Sequence, residues 1–308
     1  MSLYSVPRSF RCPTLESKVA IYRIPNAPVL CTTMNTQVRV RHMPYCSPTI
    51  ICEFHELGVT VIRGMFTDWV DTLRAGIQIN IDNPGPSGRS YTGKDGGGRF
   101  LSDYCNWQRI PEYRDFIFNS RAAEIGAELM DSRTVQLFHE HVLVKEAAAG
   151  VATPWHQDAP YYSVAASKTV SLWLPLDDVP RERTLEFIAG SHRSGKLYQP
   201  QFFNGNPLNE DDGLEALPNI DDNRDASDIL GWALAPGDAV AFDYRTVHGA
   251  PANDSPSAQR RAFSLRLVGD GATFVRHEGR KTSPPFPEIT LANGDPLGGD
   301  AFPILRQI

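Results

Sequence analysis

The stretch TPWHQDAPYY, residues 153–162, decides how this chain is read. It sets His156 and Asp158 one residue apart, and strand alternation sends both side chains to the same side. An imidazole and a carboxylate so placed offer two ligands to a metal ion. A third has to come from elsewhere, and His248 in DYRTVHGAP (243–251), just after a strand candidate, meets the need. Two histidines and one carboxylate hold Fe(II) on one face and leave positions open for a cosubstrate and dioxygen. The HxD spacing alone is common. A turn histidine bonded to Asp158, and a satisfied core or loop histidine at 248, are the plainer alternatives.

Outward from this stretch, the chain reads as strands separated by turns. TVQLFHEHVLVK (134–145), TVSLWLPL (169–176), DAVAFDY (238–244) and RAFSLRLV (261–268) are the strand candidates, with turn signals such as APGD (235–238) between them. Neither a βαβ rhythm nor a glycine-rich phosphate loop is present. His139 and His141 sit in the strand-like HEH, where one of them is expected to line a pocket. Upstream lie a helix, a turn at Gly58, a short strand VTVIRG (59–64), a second helix from Asp68 and a helical pattern over 108–130. The expectation is a mainly β fold with supporting helices, built as one domain over 1–308. Residues 1–50 form a lead-in broken by Pro25 and Pro28, with a brief alternation in TQVRVRHM (36–43). Residues 51–130 form helical support and 131–308 the β core. The Asn- and Asp-rich insertion 194–230 interrupts that core and suits a lid. PGPSGRSYTGKDGGGR (84–99) is expected to be irregular, as a surface loop or a flap.

Composition bounds the partners. Of 308 residues, 41% are hydrophobic and 21% charged, enough for a real core. Lys plus Arg number 30 against 36 Asp plus Glu, and the net charge of −6 argues against general nucleic-acid binding. Five cysteines, at 12, 31, 46, 52 and 105, form no CxxC pair and read as reduced thiols. No apolar run is long enough to span a membrane, and MSLYSVPRSFRC lacks the hydrophobic run of a secretory signal. A cytoplasmic monomer or homodimer acting on a small molecule is the expectation.

Arg260 and Arg261 open the last strand, and a buried guanidinium there can grip a carboxylate bidentately. Alternation puts Arg260, Ala262, Ser264 and Arg266 on one face and Arg261, Phe263, Leu265 and Leu267 on the other. Parity alone leaves open which face meets the metal.

Taken together, TPWHQDAPYY, TVSLWLPLDDV (169–179), FIAGSHRSG (187–195), YRTVHGA and RRAFSLRL resemble the phytanoyl-CoA dioxygenase family of iron- and 2-oxoglutarate-dependent oxygenases. The likeness begins at FHELGVTVIRGMF (54–66). It implies a double-stranded β-helix, the jelly roll also seen in cupins. It implies His156, Asp158 and His248 as iron ligands and Arg260 as the 2-oxoglutarate arginine, with Arg261 the runner-up. Trp173 beside the cosubstrate and Lys145 before the metal loop are family-like secondary positions. RERTLEFIAGSH (181–192) departs from the family's small-residue opening before GSH, while the retained Asp158 disfavours halogenation. The implied reaction is hydroxylation of an unactivated C–H bond with Fe(II), 2-oxoglutarate and O2, giving succinate and CO2. Desaturation, epoxidation or cyclisation by the same chemistry are alternatives. A 2-oxoglutarate-independent cupin-like metalloenzyme and a non-enzymatic metal and dicarboxylate sensor are others. Gln157, Tyr161, Tyr162 and His139, with residues of 194–230, are the expected substrate contacts. Phe138, Phe242 and Trp232 are expected in the core.

Overall fold

In the computed structural model, residues 44–93, 96–210 and 212–308 are described, and Tyr45–Ile308 form one compact unit. The alternation at 36–43, Pro25 and Pro28, Cys12 and Cys31 lie outside the described residues.

The helical support comes first. Helix α1 (Pro48–Leu57) is opened by Ser47, whose side chain accepts from Ile50 N, and is closed by Gly58 at φ 78°. Strand β1 (Val59–Ile62) follows, then α2 (Val70–Asp82). The helical pattern over 108–130 is two helices, α3 (Pro111–Asn119) and α4 (Ala122–Met130), because Ser120 leaves the first in extended backbone.

Segment 84–99 departs from expectation. Part of it is strand β2 (Arg89–Thr92), paired antiparallel with β3 (Arg99–Tyr104), so that Tyr91 faces Phe100. Pairing satisfies backbone groups that its glycines alone would leave to solvent. At Gly85 the N–H donates to Asp103 Oδ2 at 2.7 Å, and a Cβ would fall 2.1 Å from Asn106 Oδ1, so only glycine fits.

The β core runs β4 (Thr134–Lys145), β5 (Thr153–His156), β6 (Val164–Ala165), β7 (Thr169–Pro175), β8 (Glu186–Ile188), β9 (Ile229–Leu230), β10 (Ala239–Phe242), β11 (His248–Ala250), β12 (Arg260–Val268), β13 (Thr273–Phe274) and β14 (Ile304–Gln307). The large antiparallel sheet has the order β1-β10-β7-β12-β4-β3-β2, with β14 also on β4; the second has β5-β11-β8-β9. This is the expected mainly β jelly roll with helices against one sheet.

Alternation along β12 assigns the faces. Phe263, Leu265 and Leu267 join the helices in one core with Leu73, Ile77, Tyr113, Phe116 and Ile125. The Phe263 ring lies 4.9 Å from that of Tyr113 and 5.4 Å from that of Phe116. Truncating it to alanine should cost about 3–5 kcal/mol. The opposite face meets the second sheet, where Trp173, Phe187, Val240, Phe242 and Ala262 pack together. Arg260 and Arg266 share that inner face. No helix among the described residues is long and apolar enough to cross a membrane.

Candidate active site

His156 ends β5 and His248 opens β11, and the two are direct cross-strand partners. Register alone therefore brings their rings together, with centroids 4.2 Å apart. Asp158 reaches the same point by a different route from the alternation expected of HxD. The strand stops at His156, and Asp158 stands in helical backbone at the start of a 3-10 turn, Ala159–Tyr161. Ala159 N anchors that turn to Tyr244 O at 2.9 Å.

The donor atoms converge. Asp158 Oδ1 lies 3.8 Å from His156 Nε2 and 4.0 Å from His248 Nε2. Ligand atoms of the three residues all fall within 4.8 Å of one another. Each imidazole turns Nδ1 to a backbone carbonyl, His156 to Pro154 O at 2.8 Å and His248 to Thr246 O at 2.9 Å. A carbonyl only accepts, so Nδ1 carries the proton in both and Nε2 presents its lone pair. Burial lowers both histidines, His248 to about 3, which keeps them in the neutral form that binds metals. Burial would raise Asp158, but the charge of Arg266, together with both histidines, holds it well below the usual carboxylate range. The set is a two-histidine, one-carboxylate face suited to a divalent metal such as iron.

Arg266, which sequence reasoning placed on the face of Arg260 but gave no role, is the cation behind the aspartate. Its Nε lies 3.4 Å from Asp158 Oδ2 and donates to Tyr162 OH at 3.0 Å. Ser171 Oγ donates to the same Oδ2 at 2.9 Å. The parity of β12 carried the signal for Arg266; no sequence signal pointed to Ser171.

A second polar centre lies further along the inner face. Arg260 and Lys145 are cross-strand partners, both buried. Arg260 donates to Arg183 O, and Lys145 Nζ donates to Pro251 O at 3.1 Å and sits 4.9 Å from the ring centre of Phe100. Burial, and then Arg183, lower Arg260 to about 10; burial, and then Arg260, drive Lys145 well below its ordinary value. No described carboxylate pairs with either. Two adjacent buried cations without an anion are costly, and the far carboxylate of a dicarboxylate is the group that would relieve them. Trp173 is buried on the neighbouring strand and lines the same space. Arg261 does not. It faces the other way and is held by Asp177, Nη2 to Oδ1 at 2.6 Å, as the alternation of β12 requires.

Both centres open into one cavity of about 360 Å³. His139, Tyr161 and Tyr162 line it. His141 lines it too, its Nε2 2.8 Å from Ser102 Oγ. Phe242, expected only in the core, also reaches it and packs 4.6 Å from His248. Phe138 stays in an apolar cluster with Phe302, while Trp232 is half-buried beside Phe187. Gln157 is the exception among the expected substrate contacts. It is absent from the lining and braces the insertion instead. Its Nε2 donates to Lys196 O at 3.1 Å and Arg245 O at 2.7 Å, and its Oε1 accepts from Tyr198 N at 3.1 Å. Tyr161 OH donates to Gln201 O at 2.7 Å and accepts from Gln201 N at 2.6 Å. Gln201, Phe202, Phe203 and Leu208 of the insertion close one side of the cavity. The β2–β3 hairpin, part of the segment offered as a surface loop or a flap, and residues from 280–285 complete it, and the latter had no functional signal in the sequence.

Comparison with known proteins agrees with this geometry. Among solved structures, the fold is similar to the non-heme alpha ketoglutarate dependent carbocyclase SnoK from nogalamycin biosynthesis, at 22% identity and TM-score 0.66, covering 84% of this chain and 96% of that one. It is similar to the epimerase SnoN from the same biosynthesis, at 22% identity and TM-score 0.65, over 84% and 96%. AviO1 from Streptomyces viridochromogenes matches at 19% identity and TM-score 0.57, over 76% and 100%. At these identities the likeness speaks to fold. No curated protein matches the chain. The family model "Phytanoyl-CoA dioxygenase (PhyH)" matches residues 54–262. That match spans most of the sequence and takes in all three converging ligand residues as well as Arg260, and by it the chain belongs to the phytanoyl-CoA dioxygenase family of iron(II)- and 2-oxoglutarate-dependent oxygenases.

Proposed function

We propose that the enzyme removes a hydrogen atom from a C–H bond of a small molecule, with His156, Asp158 and His248 holding iron(II). Arg260, with Lys145 beside it, holds the far carboxylate of 2-oxoglutarate, and Trp173 walls that end. When bound, iron(II) would activate dioxygen as the oxidant, with 2-oxoglutarate as the co-reductant that leaves as succinate and CO2. The chain's own residues supply geometry and enclosure. Arg266 and Ser171 orient Asp158, the carbonyls of Pro154 and Thr246 orient the imidazoles, and the insertion 194–230 covers the cavity. The observation that carries this reading is the pairing of a three-ligand face with two buried, anion-less cations in one cavity.

Hydroxylation is one outcome of such a step. An outcome without oxygen transfer, such as ring closure, is better supported, because a carbocyclase and an epimerase stand among the most similar solved folds. The test has two parts. Anaerobic addition of Fe(II) and 2-oxoglutarate should give a visible charge-transfer band that is absent from the His156→Ala and Asp158→Ala variants. A small-molecule library screened by mass spectrometry should then show substrate-dependent succinate. A product two hydrogens lighter reports ring closure or desaturation, and a product heavier by one oxygen reports hydroxylation. Full succinate formation in both alanine variants would overturn the ligand assignment.

A further inference from the structure

The cavity lining holds Arg89, Lys145, Arg260, Arg266, Arg280 and Lys281 against a single carboxylate, Asp158. Arg266 faces that carboxylate, and Arg260 with Lys145 stands at the end assigned to 2-oxoglutarate. Arg89, Arg280 and Lys281 remain without an assigned partner. Each lines the cavity and is nevertheless exposed, so each stands where the cavity opens to solvent. None of them forms an ion pair with a described residue. Asp212 lines the adjoining hollow with Arg280 and Lys281 but pairs with neither.

These cations come from separate parts of the chain. Arg89 stands on β2, across from Ser102 of β3. Arg280 and Lys281 belong to the stretch after β13, and that stretch is tied to the insertion. Asn209 Nδ2 donates to Lys281 O at 3.0 Å, and Lys281 N donates to Asn209 Oδ1 at 2.8 Å. On a chain of net charge −6, three exposed cations without ion pairs lining one cavity are a local exception that draws anions to it.

Two further observations describe what lies behind the opening. The wall beside it is aromatic: the Phe203 ring is 4.8 Å from Phe100 and 5.2 Å from Tyr91, and Lys281 Nζ lies 6.0 Å from the ring centre of Phe202. Deeper in, His139 is 2% exposed and its Nδ1 has no hydrogen-bond partner, an unmet need that a polar group on a ligand would fill. A volume of about 360 Å³ is the size of a small-molecule site.

We propose that the substrate has an apolar, ring-bearing body and an anionic group, and that Arg89, Arg280 and Lys281 hold that anion at the mouth. The proposal rests on the reading of this cavity as the active site. The aromatic wall takes the body, and the anion fixes which end faces the solvent. Charge-assisted contacts here set substrate orientation and therefore which C–H bond meets the metal.

A matched pair of fluorescent probes tests this on the full-length protein. 1-Anilinonaphthalene-8-sulfonate and N-phenyl-1-naphthylamine share one aromatic body and differ by a single sulfonate. The expected result is saturable binding with about tenfold preference for the sulfonate at low salt. That preference should fall to about twofold or less in R89A/R280A/K281A, with the neutral probe bound as before. An R114A/R121A variant, which removes cations from α3 and its junction with α4, should keep the preference. No saturable binding of the sulfonate, equal affinities in the wild type, or a preference that survives the triple substitution would each overturn the proposal. The iron and 2-oxoglutarate band, recorded on the same proteins, tests the catalytic reading separately. A missing band with the probe preference intact would sink that reading and leave the anion site standing.

Discussion

Arg266 Nε lies 3.4 Å from Asp158 Oδ2, while Oδ1 of the same carboxylate converges with the two imidazoles. The guanidinium and Ser171 Oγ thus occupy one oxygen and leave the other free. A carboxylate divided in this way presents one ligand atom, which preserves open positions on a metal. The arginine also keeps the aspartate ionised in a site that would otherwise protonate it.

Replacing Arg266 with methionine should therefore lower metal affinity by about 10–100-fold, the usual range when the group behind a ligand is lost. Cobalt(II) titration followed by its visible bands measures this, with circular dichroism reporting the fold. Ser171→Ala should show the same change in smaller degree. Unchanged affinity in R266M would mean that Ser171 and the turn hold Asp158 without the arginine.

The cavity separates the two adjacent arginines, Arg260 lining it and Arg261 paired with Asp177 on the other face. Arg260→Ala should weaken 2-oxoglutarate binding by about tenfold or more while leaving cobalt(II) affinity intact. Arg261→Ala, which removes the pair with Asp177, should leave 2-oxoglutarate binding unchanged. Calorimetric titration of the metal-loaded protein distinguishes them.

Gln157 braces the insertion through two hydrogen bonds, with Lys196 O and Tyr198 N, is anchored by a third to Arg245 O, and is absent from the cavity lining. Gln157→Leu should speed limited proteolysis within 194–230 several-fold, while metal affinity stays near that of the wild type. Loss of metal binding with unchanged proteolysis would reverse this assignment.

Glu140 provides a pH test remote from the metal ligands. It is fully buried with Oε2 unpartnered, and burial pushes its carboxyl up from 4.5 to about 8, against the pull of Asn106 N–H. The folded protein keeps a proton that the unfolded chain releases. This contribution to stability is complete below pH 4.5 and is lost as pH rises through about 8. Glu140→Gln cannot titrate and keeps an acceptor for Asn106. Its stability relative to the wild type should climb across that window, by on the order of 5 kcal/mol, in urea denaturation at several pH values. A constant difference would show that Glu140 ionises normally.

Much of the site was legible because its signals are local. HxD, the histidine after a strand and the arginine pair are short patterns whose chemistry follows from residue type. The alternation of β12 already grouped Arg266 with Arg260. Proximity to the HxD pair served for Tyr161 and Tyr162, which line the cavity, but not for Gln157. Gln157 lies between two metal-site residues yet points away from the cavity, because the chain turns out of β5 directly after His156. The glycines of 84–99 suggested an irregular loop, but β3 offered a partner strand and pairing overrode the local preference.

By itself, the sequence determined the class of fold and singled out His156, Asp158 and His248, which the structure brings together, because strand periodicity and side-chain chemistry are written residue by residue. Which arginine faces inward, how the two histidines meet and which segments besides the insertion line the cavity were decided only by tertiary structure. Burying Phe263, Leu265 and Leu267 against the helices turned Arg260 and Arg266 into the cavity, and the β5–β11 register set His156 opposite His248. The mouth was assembled from the β2–β3 hairpin, the insertion and residues 280–285, which lie far apart in the chain and share no sequence pattern. Their common role arises from packing around one space, and a linear sequence states that space nowhere.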